Sequence, residues 1–540
     1  MRKLRYLLPV LGFFLLSTTV STDRGKYFEI AKNIEIYTNL YKELNTYYVD
    51  DLDPATTMRV GVDAMLKNLD PYTNYISESE IEGYRFLTEG RYQGIGAQFD
   101  VIDGKVTLTE RVTDAPAAKA GLRVGDRLLA IDGQNAVGKS VEEVSAILKG
   151  YPGTGVELKI ERPGENKPLD ITLIRDEVNV PNVPYSGEVA DGIGYVALTT
   201  FTRQAGRNVG EAVRKMREEN PNLKGVIFDL RGNGGGLLTE AVNVSNVFIP
   251  KNELVVTTKG KVKDWDRSFK TLNAPIAEDL PLVVLINNNS ASASEIVSGV
   301  IQDYDRGVLV GQRSYGKGLV QNTRDVGYNG KIKLTTAKYY IPSGRCIQSV
   351  EYEDGEPVDI DESKRARFET RGGRTVLDGG GVKPDVVIDR DDDSDILKNL
   401  REEFLVFDFV TQWALQHEDI GEVQTFQFQD WDQFVAFLKK RDFDYDTETE
   451  KLLAKLQLES ADNVYLQKAD LDALEEKVLT NKKRDLERNR AAIVDLIEKE
   501  IASRYYNERG KIQMGLRNDV EVKRAVELLN DSGKYGALLK

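Results

Sequence analysis

A strand-to-helix segment in the middle of the chain constrains the fold most strongly. Residues 282–286 are a short, wholly apolar run with the length of a buried strand. Three asparagines at 287–289 interrupt the run, and small residues follow at 290–294. Apolar residues then recur at helical spacing as far as Ile301. The pattern predicts a strand, a tight turn and a helix, with Ser292 at the turn.

A serine at such a turn has two interpretations. Its hydroxyl stands in the open beside the first free N–H groups of the helix, and the same arrangement presents the nucleophile in acyl-transfer enzymes. A run of small residues also makes a good helix N-cap without any chemistry. This segment alone leaves both interpretations open.

The next segment places a lysine in an unusual setting. Residues 308–311 form a second apolar run, and Lys317 then lies between Gly316 and Gly318 before an extended pattern resumes. A lysine on a solvated loop is only a surface charge. In an apolar, glycine-lined groove the amine loses solvation, which favours its neutral form and lets it take a proton from a serine hydroxyl.

These two segments together resemble the C-terminal processing peptidases, also called tail-specific proteases, which are serine peptidases with a Ser/Lys dyad. The matching features are SASASE at 290–295, the glycine-flanked Lys317 and the following Gln321. The resemblance implies that Ser292 is the nucleophile, that Lys317 is the general base, and that Gln321 orients the lysine.

The residue inventory agrees with this resemblance. The chain has one histidine, His417, and one cysteine, Cys346. The chain therefore has too few histidines and cysteines to favour a Ser-His-Asp triad, a Cys/His pair or a His- or Cys-ligated zinc site. Lysine is nearly the only base left for covalent hydrolysis, and no motif calls for a metal or another cofactor.

A glycine-rich run follows another apolar segment at 225–230. Residues 229–236 read DLRGNGGG, which lacks the Gly-Lys-Ser/Thr ending of a phosphate-binding P-loop. The run resembles the DLRxNxGG motif of the same family, which implies that Gly236 and Ala293 supply the two oxyanion N–H groups. We interpret Asp229 and Arg231 as a structural ion pair that holds this loop.

Residues 91–177 have a different character. The run APAAKAGLRVGDRLLAIDG at 115–133 resembles a PDZ domain, a module that binds a peptide C-terminus as an added strand. Gly94, Ile95 and Gly96 match the loop whose backbone N–H groups hold the terminal carboxylate. Glycines let the backbone turn its amides towards the anion.

The two ends and the net charge restrict location and partners. Arg2, Lys3 and Arg5 precede an apolar stretch at 6–16, the pattern of a secretory signal or of an uncleaved membrane anchor. We therefore expect export to the periplasm or cell envelope. A net charge of −14 argues against nucleic-acid binding.

A chain of 540 residues is too long for one core, so several domains are expected. We predict a multi-domain α/β and β-rich protein, whose protease core resembles the crotonase-like (ClpP/crotonase-type) fold. The predicted parts are a signal or anchor at 1–22, a helical region at 23–90, a PDZ domain at 91–177, a serine peptidase core at 178–395, and a helical extension at 396–540.

Two amphipathic stripes lie outside the predicted core. The first stripe has heptad-like spacing, which predicts either packing on the body of the enzyme or a contact between two copies of the chain. The second predicts one long helix in the C-terminal extension, where we find no chemistry. The stripes comprise Ile30, Ile34, Tyr37, Tyr41 and Leu44, and then Leu486, Ile493, Ile497 and Ile501.

Taken together, the motifs predict an exported serine endopeptidase that grips C-terminal tails through its PDZ domain and cleaves through an acyl-enzyme. Expected partners are proteins or peptides with free C-terminal tails, and an adaptor protein. Two alternatives remain. A crotonase-fold acyl-CoA enzyme leaves the PDZ-like insert and export signal unexplained, and a non-catalytic PDZ scaffold of the envelope would carry an inactive site.

Overall fold

A computed structural model describes residues 21–348, 350–353, 356–359, 361–389, 394–460 and 468–540. The chain divides into two units, of which the smaller contains the described residues up to Tyr75 and the segment 323–334. The predicted signal or anchor at 1–22 lies almost entirely outside the described residues. Among the helices that are described, none has the length and apolar character needed to cross a bilayer.

The N-terminal region is helical, as the sequence predicts. Asp53 caps the second helix by accepting a hydrogen bond from the Thr56 N–H at 2.6 Å. The apolar stripe of the first helix stays open to solvent, with Ile34 62% and Tyr37 48% exposed. The elements are α1 Ser21–Tyr47, α2 Pro54–Lys67 and β1 Asn74–Ile76.

The predicted PDZ region has a sheet and a core of its own. The sheet has the order β3-β4-β5-β7-β8, and β6 pairs with β5. Strands β2 and β9 pair separately, which brings the two ends of the region together. Val106, Leu108, Val144 and Leu158 are buried in its core. The elements are α3 Ile81–Glu89, β2 Arg91–Gly94, β3 Ala97–Ile102, β4 Lys105–Arg111, α4 Pro116–Lys119, β5 Arg127–Ile131, β6 Gln134–Asn135, α5 Val141–Leu148, β7 Gly155–Glu161, β8 Leu169–Ile174 and β9 Asp176–Asn179.

The predicted peptidase core is built on a six-stranded sheet with the order β10-β11-β12-β15-β16-β23. Strands β11 to β23 of this order run parallel, and β10 is an antiparallel edge. The elements are β10 Tyr185–Ala190, β11 Ile193–Ala197, α6 Ala205–Glu219, β12 Gly225–Asp229, α7 Leu238–Phe248, β13 Leu254–Gly260, β14 Arg267–Lys270, β15 Leu282–Ile286, α8 Ala293–Asp303, β16 Val308–Gly311, β17 Leu319–Gly327, β18 Gly330–Tyr340, β19 Val350–Glu353, β20 Glu356–Asp359, β21 Arg367–Glu369, β22 Thr375–Leu377 and β23 Val386–Val387.

The sheet explains why its central strands are continuous apolar runs. Strands β11, β12, β15 and β16 are buried along their whole length, because helices cover both faces. Parallel strands end at the same edge of a sheet. The glycine run after β12, the serine turn after β15 and the lysine loop after β16 therefore meet there.

The C-terminal extension is helical with its own aromatic-rich core, which includes Phe409, Phe434 and Ile497. One prediction about it is wrong. Leu486 does not share a helix with Ile497, because the short helix α14 ends before α15 begins. The elements are α9 Asp395–Glu402, α10 Leu405–Ala414, α11 Trp431–Lys440, α12 Glu448–Ser460, α13 Lys468–Lys482, α14 Asp485–Arg488, α15 Arg490–Leu516, α16 Val520–Asn530 and α17 Ser532–Leu538.

Helix α16 has a role that the sequence did not indicate. Its residues Val522, Ala525, Leu528 and Leu529 pack in one cluster with the sheet residues Ile227, Val283, Leu285 and Val310. The last part of the extension therefore covers a face of the peptidase sheet.

We expect Leu528→Ala to lower the free energy of unfolding by about 2–5 kcal/mol, because it leaves a cavity between α16 and the sheet. Leu528 is 1% exposed. Chemical denaturation measures the change. The matched control, Leu452→Ala at a position that is 60% exposed, should stay within about 0.5 kcal/mol of wild type. Equal losses in the two variants would contradict the packing described here.

Candidate active site

Ser292 lies at the corner between the turn after β15 and the start of α8. Its backbone has φ 56° and ψ −110°, a conformation that a residue with a side chain rarely adopts. Such strain costs about 1–3 kcal/mol and is characteristic of functional sites. The corner leaves Ser292 partly exposed, whereas Ala293 behind it is buried. The local geometry matches the strained turn that presents a nucleophile.

The carboxylate of Glu295 joins the serine turn to the lysine loop. It accepts hydrogen bonds from the Ser292 N–H at 2.7 Å, the Gly316 N–H at 2.6 Å, the Lys317 N–H at 2.8 Å and the Ser314 hydroxyl at 2.6 Å. Glu295 is fully buried. Burial raises the pKa of its carboxyl to about 7, although the four donors act in the opposite direction.

Tyr339 joins the same two segments through their carbonyl groups. Its hydroxyl lies 2.5 Å from the Lys317 carbonyl oxygen and 3.2 Å from the Ser292 carbonyl oxygen, and the side chain is 1% exposed. The side-chain oxygen of Gln348 accepts a hydrogen bond from the Gly318 N–H at 2.7 Å. The backbone around Lys317 is thus fixed on both sides.

The glycine run after β12 is bound to the serine turn by Asn233, which is fully buried. The Asn233 carbonyl accepts hydrogen bonds from the Ala291 N–H at 3.0 Å and the Ser294 hydroxyl at 2.7 Å. A Cβ on Gly235 would lie 2.9 Å from the Ser292 Cβ, so only glycine fits at this approach.

Two backbone amides beside Ser292 make no hydrogen bond to any residue that the structure describes. Around the glycine run, the Gly235 N–H donates to the Asn233 side chain, and the Leu237 N–H donates to the Phe201 carbonyl. The Gly236 N–H between them and the Ala293 N–H at the start of α8 have no acceptor among the described residues.

Gln321 lies on β17, and its side-chain amide donates to the Thr335 hydroxyl at 3.1 Å. This bond anchors Gln321 to the neighbouring strand. Its action on the lysine remains a prediction.

The predicted carboxylate loop joins β2 to β3. Ile95 is buried, and its carbonyl accepts a hydrogen bond from the Ala117 N–H at 2.7 Å. Gly96 has φ 76°, and a Cβ there would lie 2.2 Å from the Ala115 Cβ. Among the described strands, β3 pairs with β4 alone and so offers an edge to an added strand.

Sequence reasoning overlooked several residues that build this site. Glu295 carried a usable signal, because a serine followed three positions later by glutamate is a capping-box pattern. Asn233 is the asparagine of the DLRxNxGG motif, although the motif does not indicate which groups it binds. The partners of Tyr339 and Gln348 lie in other loops, which no local pattern indicates. Elsewhere, the single histidine, His417, stacks on a tryptophan in the C-terminal core. No cluster able to hold a metal ion occurs within the part of the chain that the structure describes.

Three family models match the chain. Residues 192–358 match peptidase family S41, residues 107–162 match the PDZ domain, and residues 396–529 match the C-terminal helical domain of a probable PDZ-protease. The first match contains the serine turn and the lysine loop, the second lies within the predicted PDZ region, and the third lies within the helical extension.

Similar proteins carry protease names. A carboxy-terminal-processing protease of Bartonella bacilliformis is 35% identical over 336 residues, which are 62% of this chain and 76% of that protein. A probable CtpA-like serine protease of Staphylococcus epidermidis is 33% identical over 63% of this chain and 70% of that protein. The solved photosystem II D1 C-terminal processing protease is 25% identical over 65% of this chain and 92% of that one, with a TM-score of 0.34 that is too low to bear on the fold.

The peptidase and PDZ regions, with the helical C-terminal domain, define a serine protease that carries a PDZ domain on a mixed α/β fold. The chain belongs to the carboxy-terminal-processing proteases of peptidase family S41. The resemblance found in the sequence is confirmed. Neither the acyl-CoA enzyme nor the non-catalytic scaffold is favoured.

The raised pKa of Glu295 predicts a pH-dependent stability. Its folded value of about 7 exceeds the ordinary 4.5, so between these values the folded protein holds a proton that the unfolded chain releases. This contribution to stability is complete below about pH 4.5 and is lost as the pH rises through 7. The free energy of unfolding of wild type should fall relative to Glu295→Gln by about 3 kcal/mol over this range.

Denaturant titrations of both proteins at several pH values give the two curves. Parallel curves would show that Glu295 does not titrate in this window. An offset that does not vary with pH is expected in any case, because the amide introduced by the substitution cannot accept from all the donors that the carboxylate satisfies.

Proposed function

We propose that Ser292 and Lys317 form the catalytic dyad. The observation that carries this proposal is the common anchoring of both residues on the Glu295 carboxylate, with Ser292 in a strained, partly exposed corner. The Ser292 hydroxyl oxygen forms a bond to the peptide carbonyl carbon while its proton passes to the neutral Lys317 amine.

The remaining steps return the enzyme to its starting state. The peptide C–N bond breaks as the Lys317 ammonium gives its proton to the leaving amine, and an acyl-enzyme remains on Ser292. A water molecule then attacks the ester and passes a proton to Lys317. The acid product leaves as that proton returns to the serine oxygen. Gln321 orients the lysine.

Gly236 and Ala293 supply the oxyanion N–H groups in this proposal. Ala293 directly follows Ser292, and Gly236 directly follows the glycine that approaches the Ser292 side chain. Neither amide has an acceptor among the described residues, which suits them to a charge that develops only during the reaction. Each preorganised donor of this kind is worth about 3 kcal/mol of barrier.

The PDZ region is the part of the chain that binds the substrate. PDZ domains bind peptides, and we propose that the loop of Gly94, Ile95 and Gly96 holds the free carboxylate of a C-terminal tail. The tail adds to the open edge of β3 as a strand. Holding the tail on the same chain raises its local concentration at Ser292 and places specificity away from the cut. The name of the Bartonella relative supports carboxy-terminal processing as the reaction.

The finer architecture and setting are proposals of the same kind. The core is crotonase-like, which its parallel sheet between helical layers supports. The domain limits are those predicted from sequence: 1–22, 23–90, 91–177, 178–395 and 396–540.

The protein acts in the periplasm or envelope, with its apolar N-terminus as signal or anchor. An adaptor and a second copy of the chain are further partners, the latter through the exposed stripe of α1.

Ser292→Ala and Lys317→Ala should each lower kcat on an unfolded test protein by at least about a thousandfold, because each removes one half of the dyad. The control is Lys215→Ala, since the Lys215 side chain is 71% exposed on α6. Full activity in both dyad variants, with folded protein confirmed by circular dichroism, would refute the assignment.

Amidation of a peptide's C-terminus should weaken its binding to the Ser292→Ala protein by about tenfold or more, because the amide cannot replace the carboxylate charge. Fluorescence anisotropy with a labelled peptide measures the affinity. Equal affinity for the acid and the amide would mean that the Gly94–Gly96 loop does not read the tail.

A further inference from the structure

The start of helix α16 reaches the base of the glycine run. Arg231, which directly precedes the run, donates from Nη1 to the Asp519 carboxylate at 2.7 Å and to the Glu521 carboxylate. These carboxylates belong to the C-terminal extension, whereas Arg231 belongs to the peptidase core. The contact therefore joins two regions that are far apart in sequence.

The Arg231 guanidinium binds carboxylates from both regions, on two different edges. On the edge away from Asp519, Arg231 donates to the Asp229 carboxylate oxygens, from Nε at 3.0 Å and from Nη2 at 2.5 Å. The predicted ion pair of Asp229 and Arg231 is thus present, and the Tyr195 hydroxyl steadies Asp229 at 2.6 Å. Without the C-terminal extension, the Nη1 edge would lose both of these carboxylates.

The cluster is almost entirely out of solvent. The side chains of Arg231, Asp229, Asp519 and Glu521 are 13%, 9%, 10% and 1% exposed. Burial alone would lower the pKa of Arg231, but the surrounding carboxylates raise it well above its ordinary value, so the guanidinium stays charged. Removing one partner from a buried ion cluster leaves charge poorly compensated, and that favours a shift of the remaining groups.

A displacement of Arg231 would be transmitted to the serine turn by hydrogen bonds from the two residues that flank Arg231. The preceding Leu230 carbonyl accepts a hydrogen bond from the Ser290 hydroxyl at 2.8 Å, and the following Gly232 N–H donates to Asn287 at 2.9 Å. Both partners lie in the turn that leads to Ser292. Gly235, further along the run, lies against the Ser292 side chain.

The C-terminal carboxylates are themselves held firmly. Asp519 caps α16 by accepting hydrogen bonds from the Glu521 N–H at 2.9 Å and the Val522 N–H at 3.1 Å. The apolar face of α16, which includes Leu528, is packed on the sheet. The helix is therefore a fixed platform for the two side chains.

We propose that Asp519 and Glu521 are positioning residues of the protease, which lock Arg231 so that the glycine run presents the Gly236 N–H to the oxyanion. The inference rests on the oxyanion role proposed above for Gly236. Under the simpler alternative, the cluster only docks α16 on the sheet. The two accounts differ in what the carboxylates do to the chemical step.

The test uses the full chain with Asp519→Asn, Glu521→Gln and the double variant, assayed at a temperature where each is folded by circular dichroism. We expect the double variant to lower kcat by about 10- to 100-fold with KM within about twofold of wild type. Affinity for a peptide boronate, which forms a tetrahedral adduct with the serine, should fall by a similar factor. Tail-peptide affinity should not change.

Leu528→Ala is the matched control, because it removes packing near the end of the same helix and leaves Asp519, Glu521 and Arg231 unchanged at its start. It should lose stability and keep kcat. If the carboxylate variants also keep kcat, or change only KM, the positioning role is refuted and docking alone remains. If the double variant does not fold, the two single variants decide by the same criteria. Activity of Ser292→Ala would refute the dyad itself, whereas an inactive Ser292→Ala beside unaffected carboxylate variants refutes only this inference.

Discussion

The rest of the candidate active site depends on the buried carboxylate of Glu295. It satisfies donors from the serine turn and from the lysine loop at the same time, and it does so with no exposure to solvent. Burying a carboxylate is costly, and the pKa of about 7 reflects that cost. Losing the carboxylate would leave several buried donors unsatisfied at about 1–3 kcal/mol each. The serine turn and the lysine loop are therefore held together by one buried side chain.

The parallel sheet brings the necessary loops to this carboxylate. Strands β12, β15 and β16 are neighbours, so the glycine run, the serine turn and the lysine loop leave one edge side by side. The Asn233 carbonyl accepts hydrogen bonds from the serine turn, and the Tyr339 hydroxyl lies between the Ser292 and Lys317 carbonyl groups. The positions of these loops rest mainly on hydrogen bonds that involve backbone groups of neighbouring loops.

Local sequence was informative where the chemistry is local. Ser292 and Lys317 stood out because small residues and glycines interrupt apolar runs, and the predicted carboxylate loop stood out within a long PDZ-like pattern. Periodicity failed at Leu486, because apolar spacing continues across the break between α14 and α15. Tyr339 could not be found in advance, since nothing near it in sequence indicates that its hydroxyl lies between two carbonyl groups.

The sequence by itself determined the central strands, the turn at Ser292 and the residue types proposed for the nucleophile and the base, because these follow from short-range patterns of size, polarity and glycine placement. Only the tertiary structure decided that Glu295 serves two loops and that Asp519 and Glu521 complete the surroundings of Arg231. The physical reason is that such contacts depend on the order of strands in the sheet and on which helix covers its face. Neither is encoded at any fixed spacing along the chain.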